Sequence, residues 1–283
     1  MVTALIFVGG RTEMATATME RKRACVTGAT GYVGSMLVKS LLEKGYAVNA
    51  TVRDPANSKK VSHLLNLQVL GVLKLFKADL TEEGSFDDAI NGCDFVFHVA
   101  TPVNFESEDQ EGYGVSKTLS EKEAWKFAKE NNLDIITVVP VGILGPSITP
   151  EAPGSVQMLL SLLTGNEIMV NILKSLQLIS GSISLVHVED VCRAHIFAAE
   201  NESASGRYIC CAVNTCVREL SKFLSKRYPQ YNVITDFGDF PANLKSIFSS
   251  DKLIKAGFSY KYGIEEMYDE SVEYLRAVGM LAN

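Results

Sequence analysis

The chain has 283 residues, 47% of them hydrophobic and 21% charged, with a formal net charge of -6. That length suits one large α/β domain or two modest ones with a real core, and the acidic balance, without any dense run of Lys or Arg, argues against nucleic acid as a partner. The six cysteines, Cys25, Cys93, Cys192, Cys210, Cys211 and Cys216, form no C-x-x-C pair or His/Cys cluster, so they read as core residues of a reduced compartment and imply no metal site. No apolar run approaches the ~20 residues of a bilayer span. The expectation is a cytoplasmic protein without membrane insertion.

Taken in chain order, residues 1–22 read as a disordered lead-in: "TALIFVGG" has no basic n-region and is short for a signal peptide, and "RTEMATATMERKR" is polar and aperiodic. Met14 is an alternative start. The next stretch, "RACVTGATGYVGSMLVKSLLEKGYAVNATVRD", is a βαβ unit. An apolar strand ends in Gly28, Gly31 and Gly34, followed by helix-period residues Val33, Leu37, Leu41 and Leu42, a stop at Gly45, and a second strand from Tyr46 to Val52. Glycines in such a turn let a pyrophosphate approach the amides of the helix N-terminus. The G-x-x-G-x-x-G spacing resembles the extended short-chain dehydrogenase/reductases. At the end of the second strand, an acid would hold a ribose 2′-hydroxyl and a base a 2′-phosphate. Arg53 precedes Asp54 there, and Lys60 adds a second cation, which favours NADPH.

"LKLFKADL" and "CDFVFHVATP" are the third and fourth strands, with a helix around Ser85 to Ile90 between them. Asp79 and Leu80, and then Val99, Ala100, Thr101 and Pro102, fall at the C-terminal strand ends where open parallel sheets bind ligands. His98 reads as a packing residue. From Tyr113 the chain is helical, with Ala124, Trp125, Phe127 and Ala128 on the buried side and the strand "LDIITVVPV" after it. Only the acidic, aperiodic "PVNFESEDQEG" separates Thr101 from Tyr113, too little for the ~10–12 residues of a crossover plus a further strand. Tyr113 and Lys117 share one helix face. The lysine charge lowers the cost of a phenolate, which lets the tyrosine exchange a proton near neutrality.

"GYAVNATVRDPANSKKVSHLL", "CDFVFHVATPVNF", "SISLVHVEDVCRAHIFAAE", "SGRYICC" and "FLSKRYPQY" resemble the anthocyanidin reductases. These are plant flavonoid reductases of the extended short-chain superfamily, in the dihydroflavonol reductase group. The resemblance runs from about Ala24 to the C-terminus, with an internal deletion between about Asp109 and Gly112. It implies NADPH-dependent reduction of an anthocyanidin (cyanidin, delphinidin or pelargonidin) to a 2,3-cis-flavan-3-ol such as epicatechin. It assigns Thr30, Gly31, Tyr32 and Val33 to the phosphates, Arg53 and Lys60 to the 2′-phosphate, and Val99 to Pro102 to the cofactor. Tyr113 and Lys117 become the catalytic pair, and Pro140 lies beside the nicotinamide.

The fold expected is a Rossmann-type doubly wound parallel sheet lacking one helix-strand unit. A truncated NADP-binding domain covers 23–145, and a smaller substrate region covers 146–283, interleaved with the last sheet elements. In "HVEDV", the simplest role for the Asp is to cap a helix. The missing unit would carry the family's catalytic serine; Ser107, Ser116 and Thr101 do not replace it. Without it, the flanking strands are expected either to pair directly or to leave open edges, and the chain to have impaired activity. The alternatives are a non-catalytic NADP-binding form that associates with a full-length homologue, and a reductase of dihydroflavonols or cinnamoyl-CoA thioesters.

Overall fold

The structure, a computed structural model, describes residues 4–8, 21–100, 110–241 and 246–282. In chain order the elements are β1 (Ala4–Val8), β2 (Arg23–Thr27), α1 (Tyr32–Glu43), β3 (Ala47–Val52), α2 (Ser58–Leu65), β4 (Leu73–Lys77), α3 (Asp87–Ile90), β5 (Phe95–His98), α4 (Gln110–Glu130), β6 (Asp134–Pro140) and β7 (Gly142–Leu144). They continue with α5 (Gly154–Leu159), α6 (Ser161–Thr164), α7 (Glu167–Ser180), β8 (Ile183–His187), α8 (Val188–Glu200), β9 (Gly206–Cys210), β10 (Val213–Thr215), α9 (Val217–Arg227), α10 (Asp251–Lys255) and α11 (Ile264–Ala277). Contacts divide the chain into two compact units, one of residues 1–139, 148–150 and 192–208, the other of 140–147, 151–191 and 209–283. Among the described residues no helix is long and apolar enough to cross a membrane.

The seven-stranded sheet has the order β4-β3-β2-β5-β1-β6-β9. β2, β3, β4 and β5 pair in parallel, as the βαβ pattern requires. β3 is buried along its whole length, the signature of a strand covered on both faces. Its two polar residues are both hydrogen-bonded: the Asn49 amide donates to the Ala89 carbonyl at 2.8 Å, and Thr51 Oγ1 accepts the Gly28 amide at 3.3 Å.

β1 corrects two expectations. Ala4–Val8, assigned to a disordered lead-in, form a strand, and the gap between β5 and β6 is neither closed by direct pairing nor left open. β1 runs antiparallel to both neighbours, with Leu5 opposite His98 on one side and Thr137 on the other. The reason lies in backbone hydrogen bonding: two sheet edges present rows of N–H and C=O groups that are costly to leave unpaired. "ALIFV" is apolar and aromatic enough to lie in a buried slot. Ile6 is wholly buried. Val8 and Ala24 both face Phe95, so β1 ends where β2 begins, at the same end of the sheet.

Leu5 packs with Ala128 and Ile135, and Phe7, Ala124 and Trp125 lie against that cluster. α4 thus rests on β1 and β6. Trp125 Nε1 donates to Thr137 Oγ1 at 2.9 Å. Glu121, 5% exposed, accepts from Nε and Nη2 of Arg207 on β9 at 2.8 and 2.6 Å, a two-pronged pairing that a buried carboxylate needs. Phe127 departs from its expected burial. It is 56% exposed, and Val115 and Leu119 are similarly exposed, because Ala124 and Ala128, one turn apart, set the buried stripe and leave this flank in solvent.

In the second unit β10, β8 and β7 form a small sheet. Asp190 is completely buried and does not act as a simple helix cap: its carboxylate accepts the amides of Lys261 and Tyr262 at 3.0–3.1 Å, fixing the segment that leads into α11. His187, at the end of β8, stacks on Tyr262 with ring centroids 3.8 Å apart, and its Nδ1 accepts the Glu189 amide at 3.2 Å. Gly145 must be glycine beside it, since a Cβ there would lie 2.5 Å from His187 Nε2.

Burial pushes the His187 imidazole down to about 4 from an ordinary 6.5. A histidine whose folded pKa is depressed gives its full contribution above the unfolded value and loses it as pH falls. Unfolding free energy is therefore expected to decline between pH 6.5 and about 4 through this residue, by about 2 kcal/mol at pH 5. His187→Asn should flatten that part of the curve in denaturant titrations at pH 7 and pH 5.

Candidate active site

The site is assembled at the C-terminal ends of the parallel strands. Gly28 follows β2 with φ +65°, and a Cβ there would sit 2.7 Å from the Ala100 Cα. The turn therefore lies directly against the chain leaving β5. A Cβ on Gly34 would fall 2.4 Å from the Gly28 carbonyl oxygen, so only glycine lets α1 approach the turn this closely. Gly31 is the N-cap of α1; it offers no side-chain cap, and no acid stands in the first turn. A helix N-terminus left in this state, on a tight glycine turn, is suited to an anionic diphosphate. Thr30, Tyr32 and Val33 occupy the same turn and first helical residues.

Beside it, Thr30, Val52, Arg53, Asp54, Asn57 and Lys60 line a cleft of about 260 Å³. Arg53 and Lys60 are both exposed cations on its rim. The two are brought together by Asn57, which caps α2 by accepting the Lys60 amide at 3.3 Å. Asn57 was missed in the sequence, although an Asn three residues before Lys60 at a helix start is a capping signal. The charges and the glycine cradle fit a phosphorylated dinucleotide with a 2′-phosphate.

Asp79 and Leu80 follow β4. The Asp79 carboxylate accepts the amide and hydroxyl of Thr81 at 2.9 and 2.8 Å, bonds that lower its pKa, with Arg53 adding a smaller pull. Asp79 thus shapes the turn, and Leu80, 53% exposed, is the apolar surface it presents. Val99 and Ala100 follow β5, and the Ala100 amide donates to Thr27 Oγ1 at 3.1 Å. Thr101 and Pro102, expected at the cofactor, lie outside the described residues.

Thr27, His98, Leu5 and Thr137 form one row across β2, β5, β1 and β6. His98 Nδ1 lies 3.1 Å from Thr27 Oγ1. Burial lowers the His98 pKa, and the charge of Lys117 on α4 lowers it further. Lys117 is itself half-buried, and desolvation depresses its pKa. Tyr113 belongs to the same helix, one turn earlier; its side chain lies outside the described residues. Pro140 ends β6, is buried, and belongs to the second unit.

Known proteins resemble this chain over most of its length. Residues 20–116 match the NmrA-like family, and 104–211 match the NAD dependent epimerase/dehydratase family. An anthocyanidin reductase ((2S)-flavan-3-ol-forming) of Vitis vinifera is 54% identical, over 93% of this chain and 98% of the relative. A dihydroflavonol 4-reductase of Arabidopsis thaliana is 42% identical, over 93% and 84%. The crystal structure of vestitone reductase from alfalfa superposes with a TM-score of 0.78 at 31% identity, over 92% of this chain and all of that one. The Vitis alignment runs to 330 positions, more than the 283 residues here, so the relative carries residues that this chain lacks. With its dinucleotide turn, its mostly parallel sheet and these relatives, the chain belongs to the anthocyanidin reductase family of NADPH-dependent oxidoreductases, within the extended short-chain dehydrogenase/reductases.

Proposed function

We propose that this chain binds NADPH and acts on a flavonoid, reducing an anthocyanidin to a flavan-3-ol with impaired turnover. The observation that carries the reading is the cleft beside the glycine turn, which Arg53 and Lys60 line together with Thr30. Arg53 just after β3 and Lys60 in α2 discriminate for a 2′-phosphate because each supplies a charge-assisted bond that a plain ribose does not return. Taking a flavylium cation to a flavan-3-ol requires two hydrides and one proton, so two NADPH molecules, bound in turn, would each supply one hydride. Lys117, partly desolvated, holds the nicotinamide ribose and lowers the cost of charge on the Tyr113 phenol, which passes a proton to the substrate. Val99, Ala100, Thr101 and Pro102 line the cofactor, and Pro140 borders its nicotinamide.

The impairment follows from the missing serine. A hydroxyl that hydrogen-bonds the substrate oxygen positions it for reaction. β1 replaces the strand but brings "ALIFV" to the slot, with no hydroxyl among its residues. The deletion is placed between about Asp109 and Gly112, where the chain enters α4.

A second reading, a non-catalytic NADP-binding form that pairs with a full-length homologue, draws support from the exposed flank of Val115, Leu119 and Phe127 on α4, a helix side a neighbouring crossover would normally cover.

Arg53→Ala combined with Lys60→Ala should weaken NADPH binding by roughly a hundredfold and leave NADH binding nearly unchanged; equal losses for both would remove the 2′-phosphate assignment. With cyanidin and NADPH, the purified chain should form flavan-3-ol far more slowly than a full-length relative assayed alongside, and Tyr113→Phe should abolish what remains. Turnover matching the relative would refute the impairment; no product in the presence of tight NADPH binding would favour the second reading.

A further inference from the structure

We propose that Leu5 and Phe7 are positioning residues for the Tyr113/Lys117 helix, with β1 acting as the spacer that sets the distance of α4 from the dinucleotide turn. The proposal rests on the NADPH reading above.

The anchors of α4 show why a spacer is needed. Glu121 ties the helix to Arg207 on β9, and Trp125 ties it to Thr137 on β6. Both anchors lie on strands beyond β1, whereas the glycine turn, Arg53 and Lys60 are organised by β2 and β3 on the near side. What fixes one group relative to the other is β1, through continuous pairing with β5 over Leu5 to Val8 and with β6 over Ala4 to Val8. Without it, β6 would either close on β5, moving α4 by about one ~4.8 Å strand spacing, or stand unpaired.

The side chains refine what the backbone sets. Leu5 and Phe7 alternate onto the face that carries α4, and Leu5 meets Ala128 and Ile135 directly. Leu5 also lies between His98 and Thr137 in the row across the sheet. His98, on one side of Leu5, feels the charge of Lys117, and Thr137, on the other, bonds Trp125. Loss of volume under the helix lets it settle or tilt, which moves Lys117 relative to the ribose it must reach.

The test separates the two halves of the cofactor. The fragment 2′,5′-ADP needs the turn and the Arg53/Lys60 cleft; intact NADPH also needs α4. In the full chain, Leu5→Ala with Phe7→Ala should weaken NADPH by roughly tenfold while 2′,5′-ADP stays within about twofold, since a small displacement at a positioned group has a large effect. The pair Leu5→Met and Phe7→Leu, which keeps most of the apolar volume, should largely restore NADPH binding. Equal weakening of both ligands would mean general destabilisation, and no change in either would mean that α4 is held without β1; both overturn the proposal. Amide hydrogen exchange reads the same question without a ligand. Faster exchange in α4 with α1 and β3 unchanged is expected in the alanine pair, and unchanged α4 exchange would overturn the idea. Failure of the unmodified chain to prefer 2′,5′-ADP over ADP would remove the cofactor reading alone, leaving the exchange experiment to decide the positioning.

Discussion

The place of α4 in this fold depends on the pairing of two strand edges, those of β5 and β6, by a segment from the far N-terminus. A parallel sheet built by βαβ crossovers fixes its helices through its strands. A missing strand is therefore a displacement of everything that follows as well as a hole. Here the displacement does not occur, because β1 restores one strand width between β5 and β6. α4 then rests on β1 and β6, through Ala128 against Leu5 and Trp125 against Thr137.

The substitution works because a ladder is made by the backbone and is nearly indifferent to strand direction. An antiparallel strand pairs with two parallel neighbours as long as its side chains fit the faces. Leu5 and Phe7 fit one face and Ile6 the other. Polarity does matter at the strand ends. The parallel strands bring their C-termini to the ligand, whereas β1 brings its N-terminus, with Ala4 opposite Val138.

How far this was legible in the sequence follows the range of the forces involved. The β2-α1-β3 unit was readable because glycine spacing, helix period and strand composition are local, and so was the pairing of Arg53 with Lys60, which a single helix cap arranges. Phe127 was misjudged because helical periodicity gives the angle of a residue but not the neighbour that faces it. Asp190 looked like a cap from its position, and its three bonds to Lys261 and Tyr262 come from residues seventy positions away. β1 was the hardest to see: "ALIFV" is a good strand anywhere, and only the two vacant edges made by the short connection before α4 turn it into this one. The vacancy was visible in the sequence, but its occupant read as part of a disordered lead-in, because pairing the two needs the long-range geometry.

Structure and chemistry make unequal demands on the missing unit. The sheet asks only for an extended, apolar segment with the correct alternation, and many sequences meet that demand. Catalysis asks for one hydroxyl, on one strand end, aimed at one substrate atom, and its tolerance is a fraction of an ångström. A chain that loses such a unit can therefore regain its fold by recruiting a strand and still fall short in chemistry. The same separation explains why the cofactor half of the site stays coherent: its glycines, its cleft and its two cations are carried by β2, α1, β3 and α2, none of which draws on the altered part of the sheet.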